Sequence, residues 1–203
     1  MNILIIAASL MLSPLFSTTG GDDAPTRYPV NTKSSTVNWE GKKVTGSHNG
    51  DIQISNGFVT VENGLISAAT VVIDMNTINT LDLEGGSKES LDGHLKSDDF
   101  FGAATYPTAT FELTGLNPLR GGENGANFSA QGTVTIKGRT ESISVPVKVE
   151  MNDGGVRISG DMVLDRSKFD VQFRSKSFFD AKELGDKLIY NDFTIGFDLV
   201  AGK

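Results

Sequence analysis

Between Ser34 and Val200, apolar side chains recur at every second position, in run after run, with short turn-forming stretches between the runs. Successive side chains of a strand point to opposite faces, so this period specifies half-buried β-strands and leaves little of the chain for helix. Val37 and Trp39 share a face, as do Ile52 and Ile54, then Val71, Ile73 and Met75. Later runs align Ala109, Phe111, Leu113 and Gly115, then Phe128, Ala130, Gly132, Val134 and Ile136. Ile143, Val145, Val147 and Val149 follow, then Val156, Ile158, Gly160, Met162 and Leu164, and last Phe193, Ile195, Phe197 and Leu199.

The runs cover 34–43, 45–62, 64–75, 107–117, 126–137, 140–152, 155–166 and 188–201, which predicts about eight strands. Asn63-Gly64 is a two-residue hairpin signal, and the stretch from Asn152 to Gly155 is a second turn. Short connections pair neighbouring strands antiparallel. A sheet with one apolar face must cover it, and eight strands can do so by closing into an up-and-down barrel; a two-sheet sandwich is the alternative. Pro146 falls inside a run, where its missing N–H predicts an edge, bend or bulge.

Two stretches break the period. Residues 83–101 carry a short helical pattern, with Ser87 or Ser90 as the cap and Leu91 and Leu95 on one face. Phe100 and Phe101 follow Asp98 and Asp99 directly, and adjacent rings cannot both face inward from a strand. They are expected in a non-strand segment crossing a barrel mouth, both rings turned inward or onto the helix, with the two aspartates in water. Tyr106-Pro107 then sets an extended start to the next strand. Residues 166–187 form a long excursion before the last strand, a length usually given to function or a lid.

Small residues at Ala109, Gly115, Ala130, Gly132 and Gly160 interrupt the inward-facing positions. They leave volume that a plain core would fill, unless large residues opposite interdigitate with them. Around such a cavity the expected wall is Trp39, Ile73, Phe100, Phe101, Phe111, Leu113, Phe128, Val134, Val147, Ile158, Met162, Phe169, Phe193, Ile195 and Phe197. Walls of that kind select a hydrocarbon, each buried methylene contributing about 0.8 kcal/mol.

Other function classes fit poorly. Hydrophobic residues make up 38% and the net charge is −7. An acidic chain offers no basic face to nucleic acid and no polybasic attraction to lipid surfaces. Without cysteine there is no disulfide, thiolate metal site or thiol nucleophile. No G-x-S-x-G, H-E-x-x-H or phosphate loop is present, so no catalytic residue is expected; the best enzyme arrangement would use His94 with an aspartate. His48 and His94 lack enough companion ligands to predict a metal. The continuous polar face and 8% aromatic content disfavour an outer-membrane barrel, so no stable membrane insertion is expected. An apolar run at 3–16 fits a signal peptide over 1–20, followed by a linker at 21–33 and the folded domain at 34–203, which implies a periplasmic or secreted protein. A homodimer is left open.

The stretches "GSHNGDIQI", "VVIDMNTI", "LDGHLKSDDFFGAATYPTATF" and "GTVTIKGRTESISVPV" together resemble the YceI-like family of polyisoprenoid-binding proteins, and the resemblance extends from about Ser34 to Val200. It implies a lipocalin-like eight-stranded antiparallel barrel, usually exported, holding a long isoprenoid such as a quinone tail as its bound ligand, with no cofactor. After "LDR" this chain reads "SKFDVQF" where many members have a phenylalanine-glycine pair, so the entrance near Arg166 is expected to differ. Polar groups near the mouth that could orient a head group are His48, His94, Lys96, Arg166 and Lys168, with Arg174 nearby. The other functional readings are a filled barrel acting in stress response or protein interaction, and the small enzyme built on His94.

Overall fold

The computed structural model describes residues 24–152 and 154–202. Its strands are β1 (Thr26–Pro29), β2 (Thr36–Lys43), β3 (Gly46–Glu62), β4 (Leu65–Thr80), β5 (Thr108–Pro118), β6 (Phe128–Ile136), β7 (Arg139–Asn152), β8 (Gly155–Asp165) and β9 (Ile189–Gly202). Helix α1 (Gly85–Lys96) joins β4 to β5, and a single-turn helix α2 (Ala181–Leu184) lies in the long connection before β9. Every pairing is antiparallel, and the order β3-β2-β9-β8-β7-β6-β5-β4 closes through a β3–β4 ladder. The sheet is therefore an eight-stranded barrel with no free edge, and the sandwich alternative falls.

The N-terminal boundary differs from expectation. Residues 26–29, inside the expected linker, form β1, which pairs with Phe58 to Val61 of β3, while Val30 bridges to Ala201 of β9. β2 pairs with β3 only at 46–51 and with β9 only up to Asp198. β1 thus completes the stave that β2 leaves unfinished, and its polar sequence reads as linker because only Tyr28 and Val30 turn inward against the core. The expected signal peptide at 1–20 lies outside the described residues.

Turn chemistry acts as the sequence predicts. Asn63 and Gly64 both have positive φ (51° and 74°) and join β3 to β4 as a two-residue hairpin. The β7–β8 ladder covers residues 147–152 and begins one residue after Pro146, which therefore sits at the end of that ladder. Helix α1 begins before either serine: Glu84 occupies the N-cap without a side-chain bond, so Ser87 and Ser90 are inside the helix rather than capping it.

Two apolar clusters stack along the barrel axis. One, at the far end, centres on Val59, Val147 and Leu199. The other, at the end where α1 and the long connection lie, centres on Phe100, Ala103, Leu164, Phe169 and Val171. Phe100 and Phe101 lie in the irregular segment between α1 and β5, as predicted, with Asp98 and Asp99 exposed. Lys137 pins this segment to the β6–β7 turn by donating to the carbonyl oxygens of Asp98 and Phe100 at 3.1 and 2.9 Å.

Candidate functional site

Between the two clusters the barrel encloses a lumen of about 220 Å³. Its wall takes residues from every barrel strand, from Val59 and Leu199 at the far end to Phe101 and Phe193 at the near end. The inward side chains Phe111, Leu113, Ile158, Met162, Phe193, Ile195 and Phe197 are only half-buried, because space and not protein lies between them. The lumen reaches the surface at the β2–β9 seam, where the register shifts between Gly41 and Lys43 and where Glu40, Lys42, Tyr190 and Asp192 join the lining.

Space is kept by how the aromatic rings lie. Trp39 is the cross-strand partner of Gly50, and a Cβ added there would fall 2.5 Å from the indole. Phe197 faces Gly160, and Phe111 crosses Gly132 diagonally, where an added Cβ would lie 3.2 Å and 2.5 Å from the respective rings. Each ring lies over a glycine of the neighbouring strand. Large and small residues therefore interdigitate, as the alternative reading of these glycines expected, yet the result is a lined channel and not a plug. The Trp39 indole N–H is satisfied by the Asp51 carbonyl oxygen at 3.2 Å, which fixes its tilt.

Of the expected wall residues, Trp39, Ile73, Phe100, Phe101, Phe111, Leu113, Val134, Val147, Ile158, Met162, Phe193, Ile195 and Phe197 line the lumen. Phe169 does not. It is 1% exposed, within the 3-10 turn Arg166–Phe169, and plugs the core beside Val171. Phe128 begins β6 and packs on the far-end cluster outside the lining. Gly115 is not an inward position: a bulge between Leu113 and Gly115 shifts the phase by one residue and presents Leu116 instead. Ile78 and Leu95 were also missed, the first because β4 continues to Thr80 and the second because it reaches the lumen from helix α1.

The polar candidates separate. His48 and His94 line a shallow surface cleft with Ser87, Ser90 and Arg174, not the lumen. His48 Nδ1 is 2.9 Å from Asp82 Oδ2, and the Asn49 N–H donates to the other oxygen. Burial raises the Asp82 carboxyl pKa, but these hydrogen bonds outweigh it and hold the group below its ordinary value. His94 forms no pair with an aspartate: its ring lies edge-on to Phe100 and Phe173, and among the described residues nothing bonds its Nε2. Lys96 is half-buried and Lys168 exposed, and neither lines the lumen.

Arg166 is the exception. It is 2% exposed, lines the lumen, and donates to the carbonyl oxygens of Tyr190, Val171 and Ile189 at 3.0, 2.8 and 3.0 Å. Burial pushes its pKa down to about 10, with neighbouring Asp165 opposing, so the guanidinium stays charged at neutral pH. Phe100 packs against it, the ring centroid 5.5 Å from Cζ.

Helix α1 is fastened over the near end by a polar cluster. Asp92 Oδ1 accepts from both the N–H and hydroxyl of Thr80, at 2.8 and 2.6 Å, and Asp92 pairs with Lys88 at 3.4 Å. Lys88 also donates to the Thr80 carbonyl oxygen.

A closed antiparallel barrel around an apolar lumen, with one end partly covered by a helix, is a lipocalin-like barrel with a hollow interior. The profile of the YceI-like domain matches residues 28–201, and the chain belongs to the YceI-like family. It is similar in structure to Burkholderia cenocepacia BcnA, with 25% identity, TM-score 0.66, and coverage of 85% of this chain and 99% of that one. It is also similar to a polyisoprenoid binding domain from Saccharophagus degradans implicated in plant cell wall breakdown, at 15% identity and TM-score 0.60, covering 86% and 97%. The Campylobacter jejuni YceI protein aligns over 100% of this chain and 93% of its own at 17% identity and TM-score 0.50. The last two likenesses concern the fold alone. A comparison with curated proteins found no match.

Proposed function

We propose that the lumen holds an isoprenoid chain and that the protein acts outside the cytoplasm as a carrier or store, with no chemical step. The observation that carries this reading is the continuous apolar lining from Val59 to Phe193, interrupted by one buried charge. The Saccharophagus domain of the same fold, described as polyisoprenoid-binding, points the same way.

Size adds a condition. On the scale at which a dry cavity of about 150 Å³ admits benzene, the lumen takes roughly nine carbons, about two prenyl units. Those two units contribute roughly 6 to 8 kcal/mol gross, before ordering costs are subtracted. A longer chain needs the seam between β2 and β9 and the rings of Phe101 and Phe193 to give way.

Mass spectrometry of the organic extract of purified protein tests the reading. A reproducible prenyl species supports it. A clean extract, together with no binding of added prenyl lipids, would refute it in favour of an interaction role.

A further inference from the structure

Arg166 has more donors than the fold uses. A guanidinium carries five N–H groups, and the carbonyl oxygens of Tyr190, Val171 and Ile189 take three, leaving one on each terminal nitrogen. Those carbonyls satisfy hydrogen bonds but carry no charge. Among the described residues no carboxylate lies within ion-pair distance of Arg166. Its neighbour Asp165 is engaged elsewhere, its Oδ1 accepting from the N–H and hydroxyl of Ser167 at 2.8 and 2.6 Å. A cation this deeply buried, with no carboxylate in contact and only Asp165 acting on it at longer range, is costly, and an apolar or neutral side chain could fill the same space at less cost.

We infer that the lumen's occupant carries an oxyanion, a carboxylate or phosphate, seated against Arg166, with its hydrocarbon running toward Val59 and Val147. This rests on the isoprenoid reading of the lumen and adds the head group. The placement suits the chemistry, since Arg166 lines the near end, where the β2–β9 seam opens to solvent. An acid head then remains close to water while its tail enters the dry far end.

The test compares geraniol, geranic acid and geranyl phosphate, which share one two-unit chain and differ in head group, read through the emission of Trp39, the single tryptophan and a lumen wall residue. A hydrogen bond to a charged group contributes enough that both acids should bind roughly tenfold or more tightly than the alcohol at neutral pH. Arg166→Gln should bring that ratio close to one. Equal affinities in the unmodified protein, or a preference that survives in Arg166→Gln, overturn the inference while leaving isoprenoid binding intact. Failure of all three lipids to bind overturns the isoprenoid reading and this one with it. Should Arg166→Gln fail to fold, the guanidinium ¹⁵N resonances of the unmodified protein decide: geranic acid should shift them and geraniol should not.

Discussion

The ring of Phe111 lies over the backbone of Gly132, so close that a methyl group there would stand 2.5 Å from the ring's Cε2. The two residues occupy adjacent strands, β5 and β6, and no inward side chain at 132 competes with the ring for wall space. This contact, repeated for Trp39 over Gly50 and Phe197 over Gly160, sets the width of the lumen.

Gly132→Ala should therefore press its methyl against both Phe111 and the Glu112 carbonyl oxygen, 2.6 Å away, so that Phe111 turns into the lumen or β5 and β6 shift apart. Overpacking of this kind costs about 1–3 kcal/mol. Urea denaturation should show that loss, and the titrated capacity for a prenyl chain should fall with it. A variant with unchanged capacity would show that the glycines do not govern the lumen.

Phe101 meets Phe100 and Phe193 edge-on, at centroid distances of 5.0 and 6.3 Å, and closes part of the near end. Phe101→Ala should lower stability by about 1–3 kcal/mol as those contacts vanish. It should also speed lipid release, measured by stopped-flow transfer to acceptor vesicles. Unchanged values for both would remove Phe101 from the mouth.

Phe169 separates core from wall. Phe169→Ala should cost about 3–5 kcal/mol, because the side chain is fully buried. Below the shifted melting temperature the amount of bound lipid should stay the same, since Phe169 does not line the lumen. A change in stoichiometry without loss of stability would reverse this assignment.

Acid should loosen the helix first. Burial raises the pKa of Asp92, but hydrogen bonds from Thr80 and Lys88 outweigh it and leave the group below its ordinary value of 3.8, and Asp82 is lowered likewise. A carboxylate with a depressed folded pKa stabilises the fold above 3.8, and this contribution disappears as pH falls through the lower folded value. Amide exchange in α1 should rise below about pH 4 before the barrel strands respond. At neutral pH, Asp92→Ala should release the same helix, at a cost of about 1–3 kcal/mol for the unsatisfied Thr80 groups. Simultaneous exchange of helix and barrel would contradict it.

Much of the architecture was legible residue by residue. The alternation from Val37 to Leu199 found all eight barrel strands, and Asn63-Gly64 found its hairpin, because period and turn chemistry are local properties. Phe100 and Phe101 were placed correctly by the same logic. The misses have a shared cause. The bulge at Leu113 exchanged Gly115 for Leu116, and the split stave drew polar residues 26–29 into the sheet; both depend on a partner strand distant in sequence. Arg166 and Lys168 sit two residues apart in one motif, yet one is buried at the lumen and the other lies in water. His48 and His94, grouped with them as mouth residues, turned out to share a separate cleft.

From its sequence alone this chain was bound to make an antiparallel sheet with a covered apolar face, closed as a barrel or paired as a sandwich, since an apolar stripe on every strand must leave water. Whether that interior would be solid or hollow was decided in three dimensions, by which ring met which glycine across the ladder. So was the position of the buried Arg166 charge, because the carbonyls that hold it come from two segments that only folding brings together.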